Sequence, residues 1–251
     1  MNGLFIPFLY TPGAQGMHLR GLTGADELSV EANNTSGVLA LLRSLSQNGN
    51  NGNRFDAAAI VTADRDRVIA RLYRTLYGAK ISSTLECRGC GQKFDLDFSL
   101  DDLLAHCYPA EVSIPDDGMY EPEPGIRFRL PTGEDEIAVE GVDGTTAVNI
   151  LLKRCMGAGE PEIIGESVQI KMAELAPVLS QEMQAVCPEC GLVQQVLFDM
   201  QSFFMARLTA ERRNLLEEVH LIASHYHWSH REILDLTRTE RKHYAFLIAE
   251  N

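Results

Sequence analysis

The sequence is short of positive charge, of aromatic side chains and of long apolar runs, and each shortage removes a class of function. Lys and Arg number 22 against 35 Asp and Glu, a formal net charge of −13, and aromatics make up only 7% of 251 residues. A protein that holds nucleic acid by neutralising phosphates needs a basic surface, so that mode is disfavoured. No apolar stretch approaches the ~20 residues that span a bilayer. The opening MNGLFIPFLYTPGAQG lacks both the basic start and the small-residue cleavage site of a secretory signal. The expectation is a soluble, intracellular protein with no membrane and no nucleic-acid partner. Also missing are Gly-x-Ser-x-Gly, His-Glu-x-x-His, a phosphate-binding loop and the ordered deaminase signature, so no enzyme class announces itself.

What is present starts with cysteine. Four of the six form two pairs, Cys87-Arg-Gly-Cys90-Gly91 and Cys187-Pro-Glu-Cys190-Gly191. Two intervening residues let one tight turn aim both sulfurs at a single ion, and a glycine after the second cysteine lets the backbone curl with positive φ. Cys87, Cys90, Cys187 and Cys190 are therefore the expected ligands of one structural Zn2+. Redox chemistry and unrelated turns are the competing readings. The pairs lie 96 residues apart, much farther than in a compact zinc ribbon, so the ribbon must be split. Alternating segments at 81–86, 93–98, 184–186 and 193–198 read as strands flanking the knuckles. Cys107 and Cys155 sit in apolar stretches without a cysteine neighbour and read as small core residues.

A second pattern is internal similarity. LRGLTGADELSVE at 19–31 and FRLPTGEDEIAVE at 128–140 share seven of thirteen residues, and an offset of 100 aligns both knuckles and the segments after them. Recurrence in the same order argues for duplication, against the alternative that acidic, helix-capping segments look alike by chance. Thr23 with Asp26, and Thr132 with Asp135, have the spacing of an N-terminal cap. Amphipathic spacing predicts a helix over Ala63–Tyr77, with its counterpart over Ile170–Gln181. Glu111–Pro124 reads as an acidic, proline-rich linker, and 46–53 as a Gly/Asn-rich loop.

From about Ala206 the sequence turns helical, with Leu208, Leu215, Val219, Ile222 and Tyr226 on one stripe. Ser229 with Glu232 and Thr237 with Glu240 predict helices starting near His230 and Arg238. His220, His225, His227 and His230 crowd this region without completing a ligand set and are taken as surface and helix-end residues. Trp228 is expected to lock the helix junction.

The fold class expected is thus α+β, a tandem pseudo-repeat of small α+β units joined by a split zinc ribbon, with a helical C-terminal extension. Its parts would be a first repeat at 1–110, the linker at 111–124, a second repeat at 125–205 and the extension at 206–251.

Several stretches together carry a family likeness: Ala63–Gly78, Cys87-x-x-Cys90 with Phe94–Leu100, Arg127–Asp135, Cys187-Pro-x-Cys190-Gly191, and Glu218–Trp228 followed by Glu232–Leu236. From about residue 56 onward the chain resembles the T-even-type phage baseplate hub assembly chaperone family. The N-terminal 55 residues fall outside the likeness. The resemblance implies a non-enzymatic protein that assists assembly of the baseplate of a contractile phage tail or phage-like injection particle. It would bind hub or other tail proteins in the bacterial host cytoplasm and either leave or stay in the particle. The alternatives are a nucleic-acid-binding zinc-ribbon protein, opposed by the negative charge, and a zinc enzyme, opposed because four thiolates fill the metal's coordination sphere.

Overall fold

A computed structural model of the chain describes residues 3–47, 56–108, 113–158 and 161–250. Its elements begin with β1 (Leu4–Pro7), β2 (Gly16–Leu19), α1 (Gly24–Ser29), α2 (Thr35–Leu45), α3 (Thr62–Tyr77), β3 (Lys80–Glu86), β4 (Lys93–Ser99) and α4 (Leu100–Cys107). They continue with β5 (Tyr120–Glu123), β6 (Ile126–Phe128), α5 (Gly133–Ile137), α6 (Gly144–Cys155), β7 (Met156–Ala158), α7 (Pro161–Leu175), β8 (Ser180–Val186) and β9 (Val193–Asp199). Four helices follow: α8 (Met200–Ala210), α9 (Arg212–Tyr226), α10 (His230–Asp235) and α11 (Arg238–Ala249). The class is mixed α+β, with small antiparallel sheets. Among the described residues no helix is long and apolar enough to cross a membrane.

Contacts divide the chain into two units that differ from the sequential division at 110, 124 and 205. The first contains the residues through Phe8, Gln15–Ala59 and Phe204 onward; the second contains Leu9–Ala14 and Ile60–Phe203. The C-terminal helices, expected as an extension, are thus an integral part of the first unit.

In the first unit the reason is a buried corner. Thr23 caps α1, and its N–H and hydroxyl both donate to Asp26 Oδ2, at 2.9 and 2.8 Å. The Arg20 guanidinium grips the same carboxylate at 2.5 and 2.8 Å, and Ser44 Oγ donates to it at 2.7 Å. The start of α11 closes over this corner: Arg238 N–H donates to Leu22 O at 2.9 Å, and Gly24 N–H donates to Leu236 O at 3.3 Å. Glu27, itself buried, receives Arg238 at 2.9 Å and Arg241 at 2.7 Å. Arg241 also reaches Glu218 of α9 at 2.7 Å, and Arg238 pairs with Glu211. Beneath lie Leu215, Val219, Ile222 and Ile233, with Trp228 packed between Tyr226 and Tyr244 at centroid distances of 5.3 and 4.9 Å. The helices at His230 and Arg238 start where the capping boxes predict.

The second unit builds the same corner from other parts. Thr132 N–H donates to Asp135 Oδ2 at 2.9 Å, Arg129 holds the carboxylate at 2.5 and 2.8 Å, and Arg154 Nε adds a third cationic donor at 2.8 Å. Here the covering helix is α3: Thr62 N–H donates to Pro131 O at 3.0 Å, Gly133 N–H donates to Ile60 O at 3.2 Å, and Arg65 pairs with Glu136. Asp64, fully buried, accepts the backbone N–H groups of Leu9, Tyr10 and Thr11 at 2.7 to 2.8 Å, which fastens 9–14 into this unit. Asp66 pairs with Arg65 at 3.0 Å and accepts Leu179 N–H at 2.9 Å. Tyr10, Val61, Phe128, Leu130, Leu152 and Val168 form the unit's main core.

Two sequence expectations need correcting. The helix foreseen over Ile170–Gln181 is α7 and ends at Leu175, because Pro177 disfavours helical geometry in the residue before it and offers no N–H; strand β8 begins at Ser180. The segment read as a linker contains β5, which pairs with β6 through a turn at Gly125, where φ is +86°. Tyr120, buried in the core, anchors that strand and outweighs its acidic surroundings. Most of the Gly/Asn-rich loop and the start of the linker lie outside the described residues.

Candidate metal centre

Both knuckles sit in the second unit, each at the tip of a hairpin. β3 pairs with β4 from Lys80↔Ser99 to Glu86↔Lys93, and β8 pairs with β9 from Ser180↔Asp199 to Val186↔Val193, the same register 100 residues later. At each tip the first cysteine's N–H closes the turn, Cys87 onto Gln92 O and Cys187 onto Leu192 O, both at 2.9 Å. Gly91 and Gly191 follow with φ of +72° and +73°, the left-handed conformation foreseen for those glycines.

The hairpin tips bring all four sulfurs together. The Sγ atoms of Cys87, Cys90, Cys187 and Cys190 lie within 4.8 Å of one another. Cys87 faces Cys190 at 3.5 Å and Cys90 faces Cys187 at 3.8 Å. A tetrahedron with metal–sulfur bonds of 2.3 Å has edges of about 3.8 Å, so the spacing suits one tetrahedral ion. None of the six cysteines is in a disulfide.

The surroundings favour thiolates at a metal. Backbone N–H groups of Cys90 and Gly89 point at Cys87 and pull its thiol down to about 6. The Cys90 thiol is pushed up to about 12: the Gln92 N–H favours its thiolate, but burial and the three neighbouring sulfurs prevail. Four crowded thiolates repel one another, and a divalent cation removes that repulsion. Beneath the sulfurs, Cys87, Phe94, Ala185 and Cys187 form a small core, with Leu85, Leu96 and Val196 at its edge. Phe98 and Phe198 meet edge to face at 5.0 Å.

The chain matches no protein-family model, no curated protein and no solved structure.

One residue at the centre escapes a search for ligands. Gln194 is buried where β4 carries Phe94, and it ties the two hairpins together: Oε1 accepts Arg88 N–H at 3.0 Å, and Nε2 donates to Glu86 O at 3.2 Å. Its signal was in the sequence, a glutamine at an inward position of an alternating strand. Cys107 and Cys155 stand apart from the cluster. Cys155 is buried beside Asp135, where burial pushes its thiol up to about 11, and Cys107 is buried against the Gln181 amide. His220, His225, His227 and His230 are all exposed, and among the described residues no histidine joins a metal-capable cluster.

Proposed function

We propose that this chain is a non-enzymatic, zinc-stapled assembly protein of a contractile phage tail or phage-like injection particle, acting on baseplate hub or other tail proteins in the host cytoplasm. The observation that carries the non-catalytic part is the saturated donor set: four sulfurs at tetrahedral spacing leave no coordination position for water or substrate. Thiolate donors and tetrahedral spacing favour zinc. The matched registers of the two hairpins, and the two Asp-centred corners built from Thr-Gly-x-Asp-Glu, support reading the chain as a tandem repeat whose knuckles make a split ribbon. The tail-assembly part rests on the sequence resemblance carried by Ala63–Gly78, the two knuckles and Glu218–Leu236.

Two measurements test it. Metal analysis of protein purified without added metal should return one zinc per chain, and zinc-free protein of unchanged stability would overturn the staple. Co-expression with contractile-tail sheath, tube and hub proteins should yield a stable complex with at least one of them. Failure with every one would overturn the assembly role and leave the zinc site standing.

A further inference from the structure

The two hairpins provide an internal control for surface chemistry, because they share register and differ in what they show to solvent. On β3–β4 the outward face closes on itself: Ser82 Oγ donates to Asp97 at 2.6 Å, Thr84 Oγ1 donates to Asp95 at 2.8 Å, and Glu86 stands opposite Lys93. Lys80 adds an ion pair with Asp97 at 2.7 Å. On β8–β9 three of the matching positions stay polar, Glu182, Gln184 and Gln195 standing where Ser82, Thr84 and Asp95 do, and four others turn apolar. Glu86, Gln92, Lys93 and Asp97 are replaced by Val186, Leu192, Val193 and Leu197, which are 57, 39, 53 and 69% exposed. The fold therefore tolerates polar residues at these places, and packing within the hairpin does not require the apolar ones.

Charge identifies what covers them. Residues 80–99 hold three basic and three acidic side chains, a balanced set. Residues 180–199 hold Glu182, Glu189 and Asp199 and no basic residue. Exposed apolar side chains on a hairpin whose own charged residues are all acidic fit a partner whose apolar side chains are accompanied by Lys or Arg. A second copy fits poorly, since the same acids would meet across the contact and each chain carries −13. We propose that the outward face of β8–β9 docks a basic polypeptide with an apolar strip. The proposal stands on this hairpin alone and holds whether or not the partner is a tail protein.

The test uses the full, metal-loaded chain and two labelled peptides, one alternating Lys with Leu and Val, the other alternating Glu with the same residues. Fluorescence anisotropy should show the basic peptide binding at least tenfold tighter than the acidic one, with affinity falling as salt is raised. The fourfold variant Val186→Glu, Leu192→Gln, Val193→Lys, Leu197→Asp copies the first hairpin and should abolish binding. The single variant Leu197→Asp, at a mostly exposed position, should weaken binding at least tenfold with the melting temperature unchanged. Equal binding of the two peptides, no binding to either, or full binding by Leu197→Asp would overturn the proposal. Sedimentation showing a wild-type dimer that Leu197→Asp dissociates would overturn it in favour of self-association.

Discussion

The two units solve one problem with different materials. Each buries an aspartate at a Thr-Gly-x-Asp-Glu corner and covers the corner with the first turn of a helix. The first unit balances Asp26 with one arginine and two hydroxyls, the second balances Asp135 with two arginines and one threonine. The covering helix brings its own arginine to the corner's glutamate, Arg241 to Glu27 and Arg65 to Glu136. Only the second unit holds the four cysteines. Local chemistry thus fixes the corner, while the helix that covers it comes from opposite directions along the chain.

The comparison can be broken most severely at the sulfurs. If the cluster holds zinc as proposed, stripping the metal with a strong chelator removes a contribution on the order of 10 kcal/mol, and replacing Cys87 or Cys187 by Ser removes a large part of it. Hydrogen exchange should then show protection lost across β3, β4, β8 and β9, with much smaller changes at the Cys107→Ala control; equal protection with and without metal would contradict the staple. Next in size is the ion network of the first unit. Glu27→Gln leaves the buried Arg241 and Arg238 short of a counter-charge and should cost about 3–5 kcal/mol in denaturant unfolding. A cost under 1 kcal/mol would mean that Glu218 and Glu211 suffice.

Smaller effects rank the corners themselves. Asp135→Asn strands two arginines and Asp26→Asn one, so the former should destabilise more, by about 1 kcal/mol; the reverse order would show that hydroxyl donors count as much as charge.

The aspartates also predict pH dependences of opposite sign. Burial opposes ionisation of Asp26, yet Arg20, Thr23 and Ser44 overcome it and hold its carboxyl down to about 2. A folded-state value below the unfolded one gives stability that is complete above about pH 4 and fades as pH falls toward 2, a loss of about 2 kcal/mol relative to Asp26→Asn over that range. Burial raises Asp66 to about 6 against the pull of Arg65. That is above the unfolded value, so its contribution is largest in acid and is lost as pH rises through 6. Between pH 7 and 5 the wild type should gain about 1 kcal/mol over Asp66→Asn. Parallel pH profiles for wild type and variant would refute either assignment.

Much of this was legible because it is local. The knuckles, the positive-φ glycines, α3 and the capping boxes at Ser229 and Thr237 depend on residues within a few positions of one another, and they appear where spacing puts them. The end of α7 was equally local, since Pro177 carried the signal. Strand β5 was hidden because composition speaks for solvent exposure, whereas Tyr120 is held by a core assembled from distant segments. Nothing in the spacing of Thr23–Glu27 points to residues 238 and 241, because pairing over more than two hundred positions leaves no periodic trace. Gln194 lies between these cases, conspicuous as a polar residue facing inward yet understandable only once its partners Arg88 and Glu86 are seen.

The corner at Glu27 has a consequence for how the polypeptide acquires its shape. Its cover, α11, leaves the ribosome some two hundred residues after the corner itself, so the first unit stays open until residue 249 has emerged. The second unit has all its pieces once residue 203 has emerged. Vectorial synthesis therefore completes the second unit before the first, and the acid pocket around Glu27 waits, hydrated, for α11 to arrive.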